Sequence, residues 1–155
     1  MIGEISPFQI IKKDETKLPE ILNYFEDEYI KGKEEIKVTG GMLDNLSAIS
    51  SQYEVRYSQW QELEAILNHY SNKLSGIKGG LYKDLQEHSK RQLTSTDIKQ
   101  YVESDAKVLA MQSIINEITL VRNKFISLSK GFEVKQYMLS NITKWQCAGL
   151  DNTRL

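Results

Sequence analysis

Between residues 121 and 136 the chain reads VRNKFISLSKGFEVKQ, setting Arg122, Lys124, Lys130 and Lys135 against a single acid, Glu133. Guanidinium and ammonium groups gathered in one stretch can hold phosphate oxygens, and affinity for a polyanion grows with each added contact. A second window, residues 73–91, places Lys73, Lys78, Lys83, Lys90 and Arg91 against Asp84 and Glu87, and Arg56 precedes it. Arg56, Lys73, Lys78, Lys83, Lys90, Arg91, Lys124, Lys130 and Lys135 are therefore the candidate nucleic-acid contacts. Val121, Phe125, Ile126 and Leu128 interleave with the later cations like the end of a buried helix face. That stretch has three competing meanings: a nucleic-acid surface, a subunit interface, or ordinary solvated lysines.

Other chemistry lacks its residues. No glycine-lysine loop has the spacing that cradles phosphates, since TGGM and IKGGL both fall short of it. His69 and His88 are 19 residues apart with no cysteine beside them, so a zinc site with three or four close ligands is not expected. No G-x-S-x-G occurs, and Cys147 has no neighbouring base to activate it. The expectation is a protein that is not an enzyme and needs no cofactor.

The 155 residues, 40% hydrophobic and 26% charged, suit one ordinary globular domain. The net charge of −1 conceals a gradient: residues 1–50 hold six Lys/Arg and ten Asp/Glu, residues 118–144 five and one. Such an asymmetry can build one positive face on a neutral protein. A single cysteine excludes an internal disulfide and fits a reducing compartment. The start MIGEISPFQIIKKDE lacks a signal peptide's basic opening and long apolar core, and no run approaches 18 apolar residues. A cytoplasmic protein without membrane segments is expected.

Pro7 and Pro19 are the only prolines, so nothing beyond residue 19 forbids helix, and the fold class expected is all-α. Residues 1–17 read as an irregular or short extended lead-in, and PEILNYFEDEYIKGK as a short acidic helix with Pro19 in its first turn. VTGGM breaks that helix, which closes an N-terminal segment of residues 1–40. A long helix follows over 42–75, striped by Leu46, Ile49, Tyr53, Trp60, Leu63, Leu67, Tyr70 and Leu74 and interrupted at Arg56. Tyr53, Tyr57, Trp60 and Tyr70 read as core packing along it; the other reading has some of them, with Tyr82, stacking on unpaired bases. SGIKGG, 75–80, reads as a linker opening a polar insert (76–96), and LYKDLQEHSKRQ as a polar helix or a mobile arm.

TSTD, 94–97, has the capping-box pattern of a helix start, and further helices are expected over 97–147. Their stripe is Val108, Met111, Ile115, Ile118, Val121, Phe125 and Leu128, with Gly131 as a Schellman-type stop before Phe132. Arg122 falls at stripe spacing, so its stem should cover apolar surface while its head reaches a carboxylate or phosphate. Beyond Gly131 the helix resumes, and residues 148–155 read as a tail. The stripe, Arg122, Phe132, Met138 and Ile142 are the candidate oligomerisation residues.

Several of these features occur together in a known order. Leu63, Ala65, Leu67, Tyr70 and Ser71 form L-x-A-x-L-x-x-Y-S before a polar insert. A helix start follows at Ser104, Asp105, Val108 and Leu109, then a turn at Gly131, Phe132, Val134 and Lys135. Over roughly residues 55–145 this resembles the UvsY recombination mediators of T-even-type bacteriophages. The resemblance implies a ring-shaped homo-oligomer, closed mainly through residues 105–145. Such a ring binds single-stranded DNA and helps a phage recombinase displace single-strand-binding protein. The family's basic positions within the L-x-A-x-L motif are Glu64 and Ile66 here, so phosphate contacts must come from elsewhere. Two rivals predict other behaviour: a helical adaptor oligomer indifferent to DNA, and a small DNA-packaging subunit that prefers duplex. The acidic first 40 residues make a poor helix-turn-helix, which counts against the latter.

Overall fold

The computed structural model describes residues 6–89 and 93–149, so Lys90, Arg91 and residues 150–155 of the expected tail lie outside the described residues. The fold is all-α: α1 (Pro7–Lys13), a 3-10 turn (Glu15–Lys17), α2 (Leu18–Glu35), α3 (Met42–His88), α4 (Ser95–Ser104) and α5 (Ala106–Cys147). No strand occurs among the described residues.

Several boundaries follow from local chemistry. The lead-in expected to be irregular contains α1, because the Ser6 hydroxyl accepts the Gln9 amide, Pro7 opens the first turn and Ile11 is wholly buried. The break after α2 falls at VTGGM, where Gly40 has φ 75°, a conformation that favours glycine. The Thr94–Asp97 capping box opens α4 as its spacing predicts. Asp105 then leaves the helix (φ −63°, ψ 135°), and its carboxylate accepts the Lys107 amide to start α5.

Two expected breaks are absent. SGIKGG lies inside α3, which continues without interruption to His88. Three glycines cost helix only about 1 kcal/mol each, less than is needed to end it between favourable flanks. Gly131 does not close a helix either; it sits in mid-α5 with negative φ. Its missing side chain serves packing instead, since a Cβ there would lie 3.0 Å from Ile36 Cδ1.

The chain divides into two compact units, Met1–Glu62 with Val121–Leu155, and Leu63–Leu120. In the first, three helices meet pairwise. Phe25 of α2 stands edge-on to Phe125 of α5 at 5.7 Å, and Tyr53 of α3 edge-on to Phe132 of α5 at 6.2 Å. Arg56 of α3 reaches α2 by ion pairs. The Phe8 amide donates to Glu62, which ties α1 to α3. The second unit buries Leu63, Ile66, Leu67, Tyr70 and Leu74 of α3, Ile98 and Val102 of α4, and Val108, Ile115 and Ile118 of α5.

Gly32 sets the closest approach in the first unit. A Cβ there would fall 2.6 Å from Leu128 Cδ1 and 3.3 Å from Arg56 Nε, and Leu128 is only 1% exposed, so it has nowhere to swing. Gly32→Ala is expected to lose stability by about 1–2 kcal/mol, overpacking outweighing the gain in helix propensity. Gly76→Ala, with nothing within 4 Å, is expected to gain up to about 1 kcal/mol. Urea denaturation of both variants checks this, and an unchanged or raised midpoint for Gly32→Ala would remove the packing role.

Candidate nucleic-acid and subunit surfaces

Arg56 is the first of the candidate phosphate ligands to be reassigned. It is 3% exposed, and its guanidinium is already occupied. Nε and Nη2 donate to the two carboxylate oxygens of Glu35 at 2.8 and 2.6 Å, a bidentate fork. Nη1 donates to Glu28 at 2.6 Å and to Gln59 at 2.8 Å. Gln59 Nε2 in turn donates to Glu28, and Lys31 bonds the other Glu28 oxygen. With its donors taken by Glu28, Glu35 and Gln59, Arg56 offers no phosphate contact; it is a packing cation.

Two cations of the opening stretch have the same fate. Lys124 donates to Glu26 of α2 at 2.6 Å and lies over the Tyr29 ring. Lys135 is 4% exposed, and its ammonium donates to the Glu35 carbonyl at 2.6 Å. Glu35 is the last residue of α2, so Lys135 places a positive group at that helix's negative end. Burial lowers the Lys135 pKa, and the Glu35 charge opposes that shift. The expectation of DNA contact is thereby corrected for Lys135, which is buried, while Lys124 keeps 39% of its side chain exposed; both cations complete the contact between α2 and α5.

The remaining candidates are differently placed. Lys130 is exposed on α5 and makes no hydrogen bond or ion pair among the described residues. On the second unit's part of α3, Lys73 lies over the Tyr70 ring at 6.0 Å, Lys78 is half-buried and Lys83 is exposed, 3.9 Å from Glu87. Residues five apart on a helix are turned by roughly 140°, so these three do not form one ridge.

The expected subunit face is also corrected in part. Val108, Ile115, Ile118, Val121, Phe125, Leu128 and Phe132 are each 8% exposed or less within a single chain, so they form its core. Met111, Arg122 and Ile142 are half-buried. Met138 is 47% exposed, and it belongs to a set that sequence reasoning otherwise missed: Val134 (58%), Tyr137 (69%) and Trp145 (50%). With about 100° per residue, these four lie on the side of α5 opposite Phe132, Lys135 and Leu139. The signal was available in the sequence, because the last turns of α5 are apolar on two opposed faces and one core can cover only one of them.

No group of three or more His, Cys, Asp or Glu among the described residues is placed to hold a metal ion, and no described helix is long and apolar enough to cross a membrane. His69 stands edge-on to Tyr70 at 5.4 Å, and Cys147 is exposed at the end of α5.

The Arg56 cluster has a titration signature. Burial pushes the Glu28 carboxyl up, but hydrogen bonds from Lys31, Gln59 and Arg56, with the Arg56 charge, together outweigh it and hold the pKa at about 2 against an ordinary 4.5. As pH falls below about 4.5 the unfolded chain takes up this proton first, so stability is complete above that value and drains toward about pH 2. Urea midpoints measured from pH 5 downward are expected to fall, and to fall less steeply in Glu28→Gln. At pH 7, Arg56→Met is expected to cost about 3 kcal/mol, because two carboxylates lose their partner. A variant of unchanged stability would return Arg56 to the list of surface cations.

Compared with known proteins, the chain matches no family model, no curated protein and no solved structure.

Proposed function

We propose that this chain is a non-enzymatic recombination mediator that binds single-stranded DNA as a ring-shaped homo-oligomer. It would help a phage recombinase displace single-strand-binding protein. The observation that carries the reading is the second apolar face of α5. Val134, Tyr137, Met138 and Trp145 are between 47% and 69% exposed on a helix whose opposite side already fills a core. Two exposed aromatic rings about two helical turns apart are a surface that another chain would cover. They fall in the segment that the resemblance to UvsY mediators assigns to ring closure.

The loss of Arg56 and Lys135 from the surface, and the pairing of Lys124 with Glu26, make assembly more necessary to this reading. A single chain retains Lys73, Lys78, Lys83 and Lys130 among the described candidates, too few for tight binding to a phosphate backbone. Several copies in a ring multiply modest contacts, and a strand held that way is released when salt or a competing protein takes its phosphates.

Native mass spectrometry and sedimentation are expected to show a discrete closed oligomer. Tyr137→Asp combined with Trp145→Asp should give a monomer of unchanged helicity, since both side chains are at least half exposed. Anisotropy with labelled oligonucleotides should show single-strand binding that weakens with salt and drops at least about tenfold in that monomer. A monomeric parent protein would overturn the reading. An oligomer without salt-dependent binding would turn it toward the helical adaptor.

A further inference from the structure

The last turns of α3, from Ser75 to His88, contain no buried side chain. Ile77, Leu81 and Leu85, spaced by four, are half-buried and mark the side of the helix nearest apolar surroundings. Tyr82 is set about 100° around from Leu81 and is 39% exposed. It makes no hydrogen bond or ring contact among the described residues.

Side chains on a helix lean toward its N-terminus and cover the residues three and four positions earlier. For Tyr82 these are Gly79 and Lys78. A Cβ at Gly79 would meet nothing within 4 Å, so the surface one turn before the phenol ring is open, and Lys78 is the neighbouring cation on the same side of the helix. Lys78 has no hydrogen bond or ion pair among the described residues, and Lys83 only a loose one to Glu87 at 3.9 Å. The surrounding window, residues 73–91, carries five cations against Asp84 and Glu87.

Three other aromatic side chains do not offer this combination, and Tyr137 and Trp145 belong to the proposed subunit face. Tyr70 is 2% exposed, and Tyr57 lies between Tyr53 at 6.0 Å and Trp60 at 5.2 Å. Tyr101 is exposed, but residues 97–105 carry Asp97, Glu103 and Asp105 against the single cation Lys99, a net negative stretch.

We infer that Tyr82 is a stacking platform for one unpaired nucleobase, with Lys78 and Lys83 holding the flanking phosphates. The inference rests on the single-strand-binding reading and names a contact within it. Every base has a flat face that an exposed ring can cover, whatever its identity. In a duplex those faces are taken by neighbouring base pairs, so this platform selects unpaired strands.

The test titrates the full-length protein with a labelled oligothymidylate and with an abasic strand of equal length. The parent is expected to bind the oligothymidylate more tightly. Tyr82→Ala should weaken that binding by about tenfold and leave the abasic strand unaffected, while Tyr82→Phe keeps the parent's affinity. Gly79→Leu should reproduce the loss by covering the ring; leucine is the better helix former, and circular dichroism will show that the fold is kept. Lys78→Ala should weaken both strands and lower the salt dependence. Parent-like binding of oligothymidylate by Tyr82→Ala and Gly79→Leu, or equal losses on both strands, overturns the stacking contact and leaves the single-strand reading in place. Failure of the parent to bind either strand overturns that reading itself.

Discussion

A single guanidinium organises the first unit. Arg56 would be costly to bury alone, and it is tolerated because Glu28 and Glu35, two turns apart on α2, present three carboxylate oxygens to its fork. That geometry fixes the register of α2 on α3, since a slip of one turn would leave a buried charge without a partner. Once α2 is held there, Gly32 comes against Leu128 and the end of α2 meets Lys135. The packing of α5 thus depends on an ion pair that α5 does not itself make.

The charge gradient along the chain has the same origin. An acidic front and a basic rear suggest a field directed at a partner, yet much of it is consumed internally. Glu26 takes Lys124, Glu35 takes Arg56, and the carbonyl of Glu35 takes Lys135. Opposite charges far apart in sequence are, in this unit, a folding code between α2 and the helices that pack on it. Among the candidate phosphate contacts, Lys78 and Lys130 make no hydrogen bond or ion pair among the described residues, which shifts attention from the C-terminal window to the segment around Tyr82.

Helix existence was legible from proline placement and apolar spacing, and the Thr94 capping box was readable residue by residue. The glycines were not. A glycine in sequence can mean a turn, a close contact or a plain cost to helix, and this chain uses each: Gly40 turns, Gly32 and Gly131 admit a neighbour, and Gly76 and Gly79 face open space. Only the three-dimensional surroundings separate these uses. The interruption of the α3 stripe at Arg56 was visible, but its cause lay 21 and 28 residues away on another helix. The stripe of α5 was correctly seen as apolar and wrongly aimed, because periodicity shows that a face is covered without showing by which chain.

The first unit is discontinuous, its halves separated by the whole of Leu63–Leu120. On the ribosome this imposes an order. The second unit is one uninterrupted stretch and has all its residues once Leu120 has emerged. Phe25 must wait for Phe125, 100 residues later, a delay of roughly 5–20 s at about 5–20 residues per second. During that interval the nascent chain carries an unshielded aromatic surface beside an ionic cluster that already has all its partners, which makes its early life the period when chaperones matter most.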